Sequence, residues 1–220
     1  MNKSSRIVAS LLGIFAGFGG PEHGYFEILQ GNVKPENLLI NSIGPPCQPE
    51  EIWNLCEPAM TMIPSYLVTG IMASIIGIIT MVWSVFFIDR KYGGQDLILL
   101  SIALLLFGGG IFPPLIGIIG GLVGTRINKP LTWWRTHLRG KPLRLLARMW
   151  PWPLVMFFVW LLGQFVIGYF FNDFLMSTSM LIPLLIIGLL ILSVLTGIAK
   201  DIDQDDHPVI LDSKEWSHYA

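Results

Sequence analysis

The chain alternates between long apolar runs and short polar segments. Four apolar runs are long enough to cross a hydrocarbon core of about 30 Å as helices, and they cover about residues 7–29, 64–88, 151–171 and 180–199. The first run is uniformly apolar only to Gly20, so a complete span must continue to Leu29 and take several polar residues with it. This pattern predicts an all-α, polytopic integral membrane bundle with four full transmembrane helices.

A fifth apolar segment, residues 97–124, carries no charge but is interrupted near its middle. Glycine and proline are poor helix formers, and five of them stand close together here: Gly108, Gly109, Gly110, Pro113 and Pro114. In lipid, the backbone groups that such a break frees need partners inside the protein. Each half-helix would be about 16 Å long, which reaches only the middle of the bilayer. The segment is therefore predicted to be re-entrant, with a complete crossing as the alternative.

The distribution of Lys and Arg predicts the orientation, because these residues concentrate on the cytoplasmic side. If 97–124 enters and returns on one side, Lys34 alone lies outside and the other thirteen of the fourteen lie inside. A complete crossing leaves four inside with a cytoplasmic N-terminus, or ten inside with an external one. We predict a plasma-membrane protein with a cytoplasmic N-terminus, a transmembrane domain over residues 1–200 and an acidic cytoplasmic tail over 201–220.

Two polar segments flank the spans. The predicted outer loop, residues 31–62, holds Cys47 and Cys56 on either side of a short helix start. A pair of cysteines in an exported loop suggests a disulfide, and the alternative is two buried thiols. Residues 125–150 are basic and rich in Trp, which is typical of a membrane interface. The candidates there for lipid headgroup contact are Arg135, Arg139, Arg144 and Arg148, with orientation of the chain alone as the other explanation.

The first span carries the richest chemistry. His23, Glu27 and Gln30 are spaced i, i+4, i+7 and therefore share one helix face, while Glu22 lies about 100° away from His23 around the helix. A charge that faces lipid is costly, so this polar stripe is expected to face other helices. Three interpretations stay open: a structural hydrogen-bond cluster, a proton- or cation-binding site, and a metal site, although two or three mixed ligands specify no metal.

Polar groups at depth are scarce in the other spans. Gln164 is the only strongly polar residue deep in 151–171, and no further span carries a charge at depth. A proton relay across the bilayer normally needs several such groups. The sequence therefore predicts at most a single polar site near one face of the membrane.

The second half of 97–124 is rich in glycine. Its members are spaced as small-xxx-small pairs, which allow close approach of helix backbones in membranes: Gly117, Gly120, Gly121 and Gly124. The first interpretation is a helix–helix contact, either within the chain or between copies. The second is a half-helix that lines a pore or substrate cavity, where irregular backbone is tolerated at membrane depth.

Four stretches carry a resemblance: GPEHGYFEILQG, IPSYLVTG, GGGIFPP and TRINKP. They resemble a group of small multi-pass membrane proteins of prokaryotes that have no assigned activity. The similarity covers roughly residues 6–130. It implies residence in a membrane, and it supplies no substrate, cofactor or catalytic residue.

The sequence leaves three function classes. We find no Ser-His-Asp pattern, HExxH motif, paired CxxC or phosphate loop, and the basic charges abut membrane segments, which argues against nucleic acid as a partner. No catalytic residue and no cofactor are predicted. The first hypothesis is a non-enzymatic accessory or homo-oligomeric membrane component. The alternative is a small channel or permease that uses the glycine-proline break and the polar stripe, and a metal-binding protein or enzyme at Glu22, His23 and Glu27 is the third.

Overall fold

The computed structural model describes residues 1–41 and 57–206. Cys47 and Cys56 lie outside these residues, and so does the predicted disulfide. The described part is mostly helical, with the helices α1 (Lys3–Gln30), α2 (Tyr66–Phe86), α3 (Gly93–Leu106), α4 (Phe112–Gly124), α5 (Thr132–His137), α6 (Lys141–Met149), α7 (Trp152–Phe170), α8 (Asn172–Ser177) and α9 (Leu181–Asp206).

Three of these helices, α2, α7 and α9, are long and apolar enough to cross a membrane. They expose large apolar side chains to the surroundings, including Ile75 and Ile79 on α2 and Val159 and Leu162 on α7. A helical protein with such outward faces fits a membrane-embedded protein. Helix α1 has 28 residues, which is enough length for a span. Its glycines and polar stripe make it less hydrophobic than α2, α7 and α9.

Helices α1 and α2 pack antiparallel with their backbones in direct contact. A side-chain carbon added at Gly24 would lie 2.5 Å from the Gly70 carbonyl oxygen, and one added at Gly17 would lie 2.7 Å from the Gly77 oxygen. Only residues without a side chain permit this approach. Pro21 lies inside α1, which continues through it to Gln30.

The interrupted segment folds into a helical hairpin. A side-chain carbon at Gly94, at the start of α3, would lie 2.6 Å from the carbonyl oxygen of Gly121, near the end of α4. The two helices are therefore antiparallel, and both outer ends of the hairpin lie at the same level. The break itself is shorter than predicted: it covers residues 107–111, while Pro113 and Pro114 stand in the first turn of α4, where proline costs no backbone hydrogen bond.

The ends of several helices meet at one face of the bundle. The backbone amides of Ser4 and Ser5 at the start of α1 donate to the Asp201 carboxylate at 2.7 and 2.8 Å. Asp201 belongs to α9, which continues to Asp206, so the first six residues of the predicted tail are helical. On the same face, Arg135 of α5 pairs with Asp205 and Asp206 at the end of α9.

The amphipathic helix α6 packs onto this end of α9. Its buried residues Leu143 and Ala147 contact Ile198 and Ile202 in a small apolar cluster. Helix α5 precedes it, so the predicted basic interfacial segment contains two short helices.

A two-stranded antiparallel sheet, absent from the all-α prediction, covers the opposite end of the hairpin. Its strands are β1 (Leu39–Asn41) and β2 (Pro58–Met60). The Gly108 amide donates to the Met60 carbonyl oxygen at 2.9 Å, and the Met62 amide donates to the Leu106 oxygen at 3.1 Å. Residues 107–110, the hairpin tip, are thus tied to the sheet by backbone hydrogen bonds.

Candidate functional site

The hairpin tip lies directly on the polar stripe of α1. A side-chain carbon added at Gly108 would lie 2.5 and 2.7 Å from the two carboxylate oxygens of Glu27, and one added at Gly110 would lie 2.5 Å from His23 Nε2. Both glycines have positive φ, +90° and +80°, a conformation that glycine adopts without strain. Two features that the sequence presents separately, the glycine break and the polar stripe, therefore form one buried centre.

Glu27 is completely buried in this centre. Neither of its carboxylate oxygens has a hydrogen-bond partner among the described residues. A methyl carbon of Thr69 on α2 adjoins the same point of the tip, and the Thr69 hydroxyl is paired with that of Thr61 at 2.7 Å. Glu27 is therefore shielded from solvent without a hydrogen bond from a described residue to either oxygen.

The rest of the stripe extends towards the sheet. His23 is fully buried, and its Nε2 lies 3.4 Å from Oε2 of Glu57, which is one quarter exposed. Gln30 is half-buried and donates a long hydrogen bond to the Phe26 carbonyl oxygen at 3.4 Å. Glu22 is half-buried and points away from Glu27 into a neighbouring cavity.

This cavity has a volume of about 740 Å³ and lies between α1, α4, α7 and α9. Its walls are largely aliphatic and aromatic side chains, among them Phe15, Phe18, Leu115, Phe158, Leu161 and Ile186. Three polar side chains also line it: Glu22, Glu57 and Gln164. Residues 111–113, which follow the hairpin tip, form part of the wall as well, so the tip adjoins both the buried centre and the cavity.

Gln164 is the polar residue that α7 contributes. Its side chain is 5% exposed, and its Oε1 atom has no hydrogen-bond partner in the part of the chain that the structure describes. A buried acceptor without a donor is uncommon in folded proteins. Gln164 therefore offers a place where a bound molecule could donate a hydrogen bond.

Glu57 was not identified by sequence reasoning. It follows Cys56 at the end of a polar loop, and no helical spacing relates it to His23 or Glu22. The only signal in the sequence is its charge close to the start of an apolar span, which is too common to single out a residue.

The predicted packing glycines all contact other segments of the same chain. Side-chain carbons at Gly117 and Gly120 would meet Ala16 and Leu12 of α1, while those at Gly121 and Gly124 would meet α3 at Ile98 and Gly94. The face proposed for contacts between copies is thus filled within the chain.

The four candidate arginines divide into two groups. Arg135 pairs with the end of α9, whereas Arg139, Arg144 and Arg148 are exposed. Contact of these arginines with lipid headgroups stays a prediction. Within residues 1–41 and 57–206, no group of three His, Cys, Asp or Glu side chains could hold a metal ion.

No protein-family model, no curated protein and no solved structure matches this chain. The resemblance suggested by the sequence motifs therefore stays a prediction.

Proposed function

We propose that this protein is a small permease-type membrane protein that binds an amphipathic cation in the cavity between α1, α4, α7 and α9. The observation that carries this proposal is the combination of apolar walls with two carboxylates in one cavity of about 740 Å³. Ligand sites in proteins commonly have volumes of about 300–1,000 Å³, mostly apolar walls and a few polar groups.

The shape and walls of the cavity suit an apolar body. Along α1 it extends from Leu11 to Glu22, which corresponds to about 16 Å of helix. Phe15, Phe18 and Phe158 line it, and aromatic rings attract cations at their faces as well as apolar groups. A flat or elongated organic molecule would be held by burial of its apolar surface.

The polar groups favour a positive charge on that molecule. Glu22 and Glu57 bring two carboxylates to the cavity, and carboxylates in an apolar site stabilise a cation more strongly than they would in water. Gln164 Oε1 adds an acceptor. An anionic molecule would meet two like charges, which gives the site its selectivity.

The same proposal includes an orientation in the membrane. In it, α1, α2, α7 and α9 are complete spans of the plasma membrane, and the hairpin of α3 and α4 enters and returns on the cytoplasmic side, together with the N-terminus. The support is that the start of α3, the end of α4, the start of α1 and the basic helices lie at one face, as the distribution of Lys and Arg favours.

Equilibrium binding of ethidium to the full chain tests the function. The protein would be placed in nanodiscs of phosphatidylcholine, with empty nanodiscs as the blank. We expect saturable binding, and we expect Glu22→Gln and Glu57→Gln each to weaken it about tenfold, because each removes one charge partner from a partly desolvated pair.

The matched control is Glu36→Gln, which removes an exposed acid away from the cavity and should leave binding unchanged. Uncharged phenanthridine, the parent ring system of ethidium, should bind much more weakly. Equal affinity for both compounds, or unchanged affinity in both cavity variants, would refute the proposed function.

The accessory or oligomeric role stays a prediction. The glycines proposed for contacts between copies are covered by α1 and α3 of the same chain. These described residues therefore do not favour an oligomeric role over ligand binding.

A further inference from the structure

We infer that Glu27 is a proton-binding site in the membrane whose ionisation requires the hairpin tip to move. The link from this proton to the cation in the cavity rests on the proposed function, whereas the proton site itself does not.

The surroundings of Glu27 favour the neutral acid. The side chain is fully buried, and neither oxygen accepts a hydrogen bond from any described residue. An isolated carboxylate in such surroundings is so costly that a carboxyl group takes up a proton instead. A proton also needs no further ligands, unlike a metal ion.

The charged and titratable groups near Glu27 are few. On α1 itself, His23 lies one turn earlier and contacts Glu57. From α2, the Tyr66 phenol interacts electrostatically with Glu27 and with the exposed Glu36. The hairpin contributes no charged side chain, because residues 97–124 carry no charge. Thr61 after β2 is uncharged and paired with Thr69.

The hairpin tip blocks the solvation that an ionised Glu27 would need. Gly108 lies so close to both oxygens that even a methyl group would not fit between them. Among the described residues, the tip is the backbone that covers both oxygens, so displacement of the tip would open the carboxylate to water or to a donor group. In the described part of the chain, two backbone hydrogen bonds join this end of the hairpin to the segment around β2, Gly108 to Met60 and Met62 to Leu106, and movement of the tip would break them.

Movement of the tip would change the cavity, because the chain from Gly108 reaches the cavity wall at Ile111 after three residues. Glu57 on the cavity wall contacts His23, one helical turn from Glu27, so a cation beside Glu57 also favours a negative charge at Glu27. Binding of the cation and binding of the proton therefore oppose each other: one proton leaves Glu27 as one cation enters, and by linkage each ligand weakens the other by the same factor.

Infrared spectroscopy and carbodiimide labelling of the full chain in nanodiscs test this inference. We expect a protonated-carboxyl stretching band at neutral pH that disappears in Glu27→Gln and persists in Glu22→Gln. We also expect N,N′-dicyclohexylcarbodiimide, which attacks protonated carboxyl groups in apolar sites, to label the peptide that contains Glu27. Since Gln has the shape of the protonated acid, the variant should keep the thermal midpoint of the wild type.

The outcomes separate this inference from the proposed function. Ethidium should slow labelling of Glu27 several-fold at constant pH, and loss of that effect together with loss of ethidium binding would count against the function alone. An identical infrared spectrum for wild type and Glu27→Gln would overturn the proton site even if ethidium binds. Protection of Glu27 by sodium ions at constant pH would also overturn it, because the ligand would then be a metal cation.

Discussion

Gly108 combines a left-handed backbone conformation with a close contact to the buried acid Glu27. Its φ of +90° is the left-handed region, and its Cα faces Glu27 and Thr69 with no room for a side chain. An L-residue there would be strained and would also displace the carboxyl group. The identity of this one residue therefore sets how closely the hairpin tip covers the buried acid.

We expect Gly108→Ala to destabilise the protein by about 1–3 kcal/mol, the range for a residue forced into a sparsely populated backbone conformation. Unfolding in a mixed-detergent titration would measure the change. Gly163→Ala in α7 is the matched control, because no atom from another part of the described chain lies within 4 Å of the added carbon and alanine is the better helix former by about 1 kcal/mol. Equal destabilisation by both substitutions would contradict the packing described for the tip.

Sequence reasoning found most residues of the buried centre but not their contacts. Spacing on one helix places His23 and Glu27 on a shared face, and composition marks the glycine break. Neither signal relates residue 27 to residue 108, because that contact depends on how the hairpin is seated against α1. The contact between Glu57 and His23 is unpredictable for the same reason, because no periodic pattern in the sequence relates these two residues.

At the scale of elements, α9 fixes the start of α1. The Asp201 carboxylate accepts hydrogen bonds from the amides of Ser4 and Ser5 and from the Ser5 hydroxyl. These amides belong to the first turn of α1, where no intrahelical acceptor is available. The N-cap residue Asn2 makes no side-chain cap, because its side-chain amide donates to the carbonyl oxygens of Arg126 and Lys129. Asp201, near the C-terminal end of α9, supplies the cap instead.

Asp201→Ala should destabilise the protein by about 1–3 kcal/mol, because it leaves buried donors without an acceptor. Asp203→Ala on the same helix is the control. Asp203 is partly exposed, and its one ion pair with a described residue is a 3.8 Å contact with Lys200, so its removal should have little effect. The unfolding midpoint in the detergent titration would be measured for both variants. Equal midpoints for the two variants would rule out the capping role of Asp201.

The helices themselves were largely predictable from apolar runs, since a run of about twenty apolar residues is difficult to fold in any other way at membrane depth. The break ends before the point that the sequence predicts, because Pro113 and Pro114 stand in the first turn of α4, where proline is well tolerated. The β1–β2 sheet was missed because three-residue strands leave no periodicity to detect.

On the scale of the whole molecule, the hairpin predicts that Gln95 and Thr136 lie on the same side of the membrane. Single cysteines at these two exposed positions, in a chain with Cys47 and Cys56 replaced by Ser, should react with a membrane-impermeant maleimide only from the cytoplasmic side. A cysteine at Glu36 should react only from the outside. Labelling of Gln95 and Thr136 from opposite sides would show that 97–124 crosses the membrane once.

The most direct test of the whole account is ethidium flux into proteoliposomes under an imposed pH gradient, with the membrane potential clamped by potassium and valinomycin. Because cation and proton binding oppose each other, we predict accumulation of ethidium in the acidic interior by wild type, driven by outward movement of protons. Glu27→Gln should still bind ethidium but should not accumulate it. Accumulation by Glu27→Gln at the wild-type rate, or no accumulation by a wild-type protein that binds ethidium, would contradict the account.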